Sequence, residues 1–237
     1  MKYFPVSIIP SLVELDPHQG MMAPQAMPQR LYAALKHRIL TCSMKPGTRV
    51  IEMELSTEFG VSRTPLREAL NRLSHEGLLV LNPYKGYTVT PLTVAHFQEL
   101  CELRRILEPA VAGLAAERAT VTDIAALRAT ATLDYTPGVP SSYENYLRNN
   151  CNFHLTLVRS AGNAMLESMV MSALDRHQRP CYLGLDGGID GVTSSQEHFE
   201  IVAAIERRDA ATARQLMAHH LVKGEERIAA ALRAAGY

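Results

Sequence analysis

Residues 61–77 read VSRTPLREALNRLSHEG and have the pattern of a short helix. Three leucines, Leu66, Leu70 and Leu73, recur at spacings of four and three residues and therefore share one face. Gly77 is of the type that commonly follows a helix end. We therefore predict a helix whose apolar face packs against a core and whose other side faces solvent.

Two shorter segments flank this helix. Residues 52–59 have a helical pattern that ends at Gly60, and Ser62 is a favoured N-cap for the helix that follows. Residues 78–81 and 87–90 are rich in apolar and β-branched residues, and the turn sequence Asn-Pro-Tyr-Lys-Gly separates them, which predicts a β-hairpin. The sequence therefore predicts a helix-turn-helix followed by a wing.

The chain divides into segments of different charge. Residues 28–92 carry 9 basic and 5 acidic side chains, whereas residues 93–237 carry 14 and 17. Residues 1–27 show neither helical nor strand periodicity, and we interpret them as a flexible tail. The sequence thus predicts a basic module at 28–92 joined to a mildly acidic one at 93–237.

The second module has a helical pattern throughout. Apolar residues recur at intervals of three and four over six segments, at 93–118, 121–133, 143–161, 163–181, 194–207 and 210–234. The main loops are expected at 135–140 and 184–191. The predicted fold class is mainly α, with an N-terminal winged helix-turn-helix and a C-terminal all-α helical bundle.

Composition excludes several classes of protein. A hydrophobic content of 47% argues against disorder of the whole chain, and the four cysteines form no C-x-x-C pair, which indicates reduced thiols. No apolar run approaches the roughly 18 residues of a membrane span. Tryptophan is absent and aromatic residues make up 6%, which is a poor composition for stacking single-stranded bases. We expect a soluble cytoplasmic protein without a membrane partner.

The exposed side of the predicted helix carries arginines. Arg63 and Arg67 lie four residues apart and project from one face, from which each guanidinium can make bidentate contacts to guanine or phosphate. A solvated arginine face is the alternative, and the wing and the charge segregation disfavour it. The candidate contacts to double-stranded DNA are Arg49, Arg63, Thr64, Arg67, Lys85 and Gly86.

The second module contains three histidines and an asparagine that the predicted helices bring to one level. Asn150 and His154 are one helical turn apart, while His198 precedes and His220 follows the turn at 208–209 by similar lengths of helix. Three imidazoles and one oxygen ligand suit zinc, nickel, iron or copper. Taken singly, each histidine is more often a core or surface residue. We expect Arg105 to be solvated, and the other histidines to be structural or exposed.

These motifs resemble a known family. The run KPGTRVIEMELSTEFGVSRTPLREALNRLSHEGLLV at 45–80 and the wing YKGYTV resemble the winged helix-turn-helix of GntR-type transcription regulators. Further motifs, LRRILEPAVAGLAA, NCNFH with AGN, EHFEIVAAI and ARQLMAHHL, resemble the FCD ligand-binding domain of the FadR subgroup. The resemblance spans about residues 30–234.

The resemblance implies a metal and an effector site in the second module. In the FCD domain an Asp and three His bind a metal, and the matching positions are Asn150, His154, His198 and His220. The site therefore holds either a divalent metal, with zinc or nickel as candidates, or an organic ligand without metal. Arg104 matches the arginine that faces the effector pocket, and a surface salt bridge with Glu108 at i+4 is its alternative role. The effector-binding candidates are Arg104, Asn150, His154, His198 and His220.

The predicted function is that of a homodimeric, ligand-responsive regulator that binds a double-stranded DNA operator and a small carboxylate effector, and is not an enzyme. The alternative is a metal-dependent hydrolase or lyase using His154, His198 and His220. It is disfavoured because Glu197, the candidate general base, is turned from His198 by its adjacent position in the helix. A third possibility is an adaptor whose arginines contact an acidic protein.

Overall fold

The computed structural model describes residues 26–136, 138–186 and 191–237, which form two compact units that divide between Leu92 and Thr93. Helices dominate and a small antiparallel sheet completes the first unit, which confirms the predicted fold class. Most of the predicted tail at 1–27 lies outside the described residues. None of the described helices is long and apolar enough to cross a membrane.

The first unit contains three helices and three strands within its described residues. Their bounds are α1 (Ala26–Leu40), β1 (Arg49–Val50), α2 (Glu52–Phe59), α3 (Arg63–His75), β2 (Leu79–Asn82) and β3 (Gly86–Val89). The strand order is β1-β3-β2, and both pairs are antiparallel. The hairpin of β2 and β3 confirms the predicted wing, while β1 had no signal in the sequence because it has only two residues.

The core of the first unit holds α3 in place. Leu66, Leu70 and Leu73 are fully buried against Leu35 and Ile39 of α1, as the apolar spacing of α3 predicted. Burying side chains of this kind contributes about 1.5–3 kcal/mol each. The opposite side of α3 therefore remains at the surface.

The turn between α2 and α3 depends on one glycine. Gly60 has φ +63°, in the left-handed region that glycine adopts without steric cost, and its backbone N–H bonds to Ser56 and Thr57 carbonyls. Ser62 is the N-cap of α3, as predicted, although its side chain makes no capping hydrogen bond. Three residues, 60–62, thus connect the two helices.

The second unit is a helical bundle. Its helices are α4 (Val94–Arg118), α5 (Val121–Thr130), α6 (Pro140–Ser160), α7 (Ala164–Asp186), α8 (Gly191–Glu206) and α9 (Ala210–Ala234). Helix α4 packs along α9 and also contacts α6, α7 and α8. The side chain of Arg214 covers Gly113 so closely that a Cβ there would meet its guanidinium at 2.3–2.6 Å. Side chains that point inward from α4 are therefore surrounded by other helices.

The predicted loop at 184–191 is wrong at both ends. Helix α7 continues to Asp186 and α8 begins at Gly191, while residues 187–190 lie outside the described part of the chain. Leu185 is fully buried, so the apolar face of α7 extends past the predicted end. Helix α6 likewise begins earlier than predicted, at Pro140, because proline is accepted in a first helical turn.

Candidate functional sites

Helix α3 presents its polar side to solvent. Arg63, Thr64 and Arg67 are exposed, as predicted from their positions opposite the buried leucines. Arg63 makes no hydrogen bond or ion pair with any residue that the structure describes. Its guanidinium is therefore available to a partner outside the chain.

Arg67 is held by a residue that the sequence did not indicate. Its Nε donates to Oε2 of Glu52 at 2.7 Å, and this hydrogen bond raises the pKa of Arg67. Glu52 is the first residue of α2, so the bond joins the two helices of the helix-turn-helix. The Arg67 side chain remains 59% exposed to solvent. The ion pair thus orients Arg67 and leaves its two Nη atoms free to reach outward.

The wing is braced by Arg49. Its Nε donates to the backbone carbonyl of Lys85 at 3.1 Å, next to the hairpin tip. Gly86 has φ +76°, and Tyr84 has φ +63° with a fully exposed ring. Arg49 therefore positions the wing, which is a role that the prediction of a direct DNA contact did not include.

The structure brings the three predicted histidines together. His154 on α6, His198 on α8 and His220 on α9 are all buried, and their ligand nitrogens lie within 4.8 Å of one another. The Nε2 atoms of His198 and His220 are 3.3 Å apart. Three imidazoles from three helices can therefore bind one ion.

Two carboxylates lie against the outer nitrogens of this cluster, in an ion-pair contact at His154 and a hydrogen bond at His220. Oε2 of Glu108 lies 2.7 Å from Nδ1 of His154, and Oε2 of Glu197 lies 2.6 Å from Nδ1 of His220. A carboxylate on Nδ1 fixes the ring orientation and leaves Nε2 for a metal. Glu197 is turned from His198, as predicted, but it contacts His220 instead. These partners lie on neighbouring helices, so helical spacing alone did not show them.

Each carboxylate also accepts hydrogen bonds from an arginine. Arg104 bonds to Glu108 through Nε at 2.5 Å and Nη2 at 3.3 Å, while Arg227 bonds to Glu197 through its two Nη atoms at 3.3 and 3.1 Å. The second unit thus contains two Arg-Glu-His chains. The salt bridge of Arg104 with Glu108 is present, but it is buried and not at the surface, and Arg104 also lines a cavity.

Burial favours the neutral form of two imidazoles of this cluster. Loss of solvation lowers the pKa of His154 to about 4, and it lowers the pKa of His198 well below its usual value. Burial also disfavours the charged form of Glu108, but Arg104 and His154 hold the pKa of this carboxyl well below its usual range. Neutral imidazoles beside an ionised carboxylate are what a metal site requires.

A cavity that is partly open to solvent adjoins the cluster. Asn150, His154 and His220 line it, together with Arg104 and Arg227. Asn150 is buried one turn from His154, where its amide oxygen can act as a neutral fourth ligand. The donor set therefore fits a divalent metal.

Two residues expected to have no part in the site are close to it. His177 is buried in the cavity wall with its ring 5.8 Å from that of Phe97, so it is not exposed. Arg105 is not simply solvated, because its Nη1 lies 2.8 Å from Oε2 of the cavity residue Glu225. His219 is exposed, as predicted.

Two family models match this chain. The model of the bacterial regulatory proteins of the gntR family matches residues 28–89, and that of the FCD domain matches residues 99–223. The HTH-type transcriptional repressor RspR of Escherichia coli K12 is 26% identical over 204 residues, which cover 86% of this chain and 90% of the relative.

Two further proteins extend the comparison. An HTH-type transcriptional regulator in an unstable DNA locus of Streptomyces ambofaciens is 30% identical over 203 residues, covering 81% of this chain and 80% of the relative. The solved structure of E. coli McbR/YncC has a TM-score of 0.68 at 23% identity and covers 91% of this chain and 100% of that one. This last likeness concerns the fold.

Proposed function

Since the chain belongs to the bacterial regulatory proteins of the gntR family and carries an FCD domain, it is a transcription regulator, and we propose that a small carboxylate controls its binding to a double-stranded DNA operator. Residues 28–92 would bind the operator. Residues 93–237 would bind the effector and a metal and hold two copies together as a homodimer. Such an arrangement would be consistent with the FadR subgroup.

The observation that carries the DNA-binding part is the exposed arginine pair of α3. Arg63 is free of partners among the described residues and Arg67 is oriented by Glu52, so both can reach base edges in a major groove. Arg49, Thr64, Lys85 and Gly86 would add contacts to the backbone and to the flanking minor groove.

The cavity supports the ligand-sensing part. A divalent metal, zinc or nickel, would be held by His154, His198 and His220 with Asn150 as a weak fourth ligand. When bound, it supplies positive charge for a carboxylate oxygen of the effector. Arg104, which lines the same cavity, would bind the carboxylate through the side of its guanidinium that Glu108 does not occupy.

Regulation would follow from a shift in population between arrangements of the dimer. A two-fold symmetric operator requires two DNA-binding domains at a fixed separation. An effector that favours one arrangement of the dimer would therefore change the affinity for the operator. The hydrolase or lyase alternative is not supported, because the relatives are transcription regulators. Glu108 and Glu197 are also each engaged by a histidine and an arginine, which leaves neither as a free general base.

An electrophoretic shift assay with the DNA upstream of the protein's own gene tests the proposal. We expect a specific shift that unlabelled operator competes and unrelated DNA does not, and that falls steeply with salt. Light scattering on the same sample should give twice the 26.2 kDa mass of the chain. A monomer with undiminished operator affinity would contradict the dimer, and the absence of any specific shift would contradict the DNA-binding role.

A further inference from the structure

The proposed function uses one of the two arginines that line the cavity. Arg104 comes from α4 and Arg227 from α9, and each ends a chain that runs through a glutamate to a histidine of the metal cluster. The two chains have the same chemistry. Arg227 is therefore a candidate for binding the same kind of group as Arg104.

Both arginines have N–H groups left over. Arg104 bonds to Glu108 through Nε and Nη2, and its Nη1 has no hydrogen-bond partner among the described residues. Arg227 bonds to Glu197 at 3.1 and 3.3 Å, which is longer than the roughly 2.7–2.9 Å of a strong charge-assisted bond. Its Nε is buried and also lacks a partner among the residues that the structure describes. Since both guanidiniums line the cavity, each can donate hydrogen bonds to a further anionic group.

The charge of the cavity indicates how many anionic groups a ligand brings. Each arginine is neutralised by its glutamate, as Arg105 neutralises Glu225. The thiols of Cys101 and Cys181 are uncharged, because burial raises the pKa of each to about 12. Among the described lining residues, no charge is therefore left uncompensated.

A dication would change this balance. Imidazoles bind a metal in the neutral form, so three of them leave both positive charges of a divalent ion in place. Asn150 is an amide and also contributes no negative charge. A ligand with two negative charges would restore neutrality in a largely buried site, where uncompensated charge is costly.

We propose that Arg227 is a second anion-binding residue and that the cavity takes a compact dianion of the dicarboxylate class. One carboxylate binds at Arg104, whose Nη2 is 3.4 Å from Nε2 of His154, and the other binds at Arg227. The inference rests on the proposed function, because it assumes that this cavity is the effector site.

Calorimetry on the full-length, zinc-loaded protein tests the inference with matched acids of equal chain length: malonate with propionate, succinate with butyrate, and glutarate with valerate. We expect at least one dicarboxylate to bind about tenfold or more tightly than its partner. Arg227→Gln should weaken that dicarboxylate about tenfold and change the monocarboxylate less than about twofold. Zinc content is measured before and after each titration, so that chelation by the acid is recognised.

Two further variants sharpen the result. Arg227→Lys keeps the charge but not the fork, and should lose less affinity than Arg227→Gln. Arg159→Gln is the matched control, because Arg159 pairs with Glu167 in the same unit and does not line the cavity. It should leave both acids unaffected.

The failures are distinguishable. Equal affinity for both members of every pair, or an equal loss for both in Arg227→Gln, would overturn the dianion while leaving a carboxylate sensor. Binding of neither acid in any pair would overturn the proposed carboxylate effector and the present inference with it.

Discussion

In the first unit Arg67 bonds to Glu52 with 59% and 20% of their side chains exposed, whereas in the second Arg104 bonds to Glu108 with 5% and 2% exposed. The two pairs have the same chemistry in opposite environments. A surface pair contributes little to stability and can release its arginine to a partner. A buried pair is costly to break, because the charge that remains is shielded from water and has lost its counter-ion. The comparison separates an exposed arginine that can bind a partner outside the chain from a buried arginine that stabilises the site.

The largest effect is expected from breaking the buried pair. Glu108→Gln leaves Arg104 charged, buried and without its counter-ion, and should lower the free energy of unfolding by about 3–5 kcal/mol. Urea unfolding followed by circular dichroism measures it. Glu117→Gln is the control, because Glu117 pairs with Arg214 at 3.4 Å with both side chains about half exposed. If the two variants were equally stable, the contrast between buried and surface pairs would not hold.

The next largest effect concerns the arginine without a partner. Arg63→Ala should weaken specific operator binding by about 1–3 kcal/mol and leave folding nearly unchanged, since the side chain is exposed. Titration in a shift assay measures the affinity. Arg38→Ala removes the same charge from α1, where Arg38 pairs with Glu58, and is the control. Equal loss in both variants would mean that Arg63 acts only through general electrostatics.

A smaller effect, on the affinity for a divalent metal, is expected at Asn150, the neutral residue of the proposed metal site. Asn150→Asp adds a negative charge beside the histidines and should tighten zinc binding about tenfold, as measured by chelator competition and elemental analysis. Asn152→Asp adds the same charge outside the cavity lining and should not. If wild type and Asn150→Asp both lack metal after purification without chelator, the histidines bind the effector directly. In that case Asn150→Asp should weaken an anionic effector.

The smallest effect on stability is expected at the surface pair. Glu52→Gln should change the free energy of unfolding by less than about 1 kcal/mol. It should still reduce the ratio of operator to non-specific affinity, because Arg67 loses the carboxylate that orients it. Glu54→Gln removes an exposed carboxylate from the same helix and serves as the control. An unchanged ratio in Glu52→Gln would show that Arg67 needs no positioning.

Local spacing predicted the parts of the molecule that depend on one helix. The buried face of α3 followed from Leu66, Leu70 and Leu73, and helix lengths were enough to bring His198 and His220 to one level. The partners of these residues could not be predicted in the same way. Glu52, Glu108 and Arg227 act through contacts between helices, whose rotations about their axes are fixed by packing and not by periodicity.

The same reason explains the smaller differences. β1 exists only because Arg49 and Val50 pair with β3, which is distant in sequence. His177 lacks a partner at helical spacing, yet packing turns it into the cavity wall. The three histidines could be chosen from nine because imidazole is a common metal ligand and because helical spacing and the family resemblance singled out these positions.

The bond between Arg49 and the Lys85 carbonyl has a consequence for how the protein would recognise the width of the DNA minor groove. One guanidinium bonds to the wing tip and would also contact a phosphate, which would couple the position of the wing to that of the DNA backbone. The distance between a major-groove contact and a minor-groove contact is then set by the protein. DNA whose minor groove is too wide or too narrow must deform to fit, and its stiffness becomes part of the recognition even at base pairs that no side chain touches.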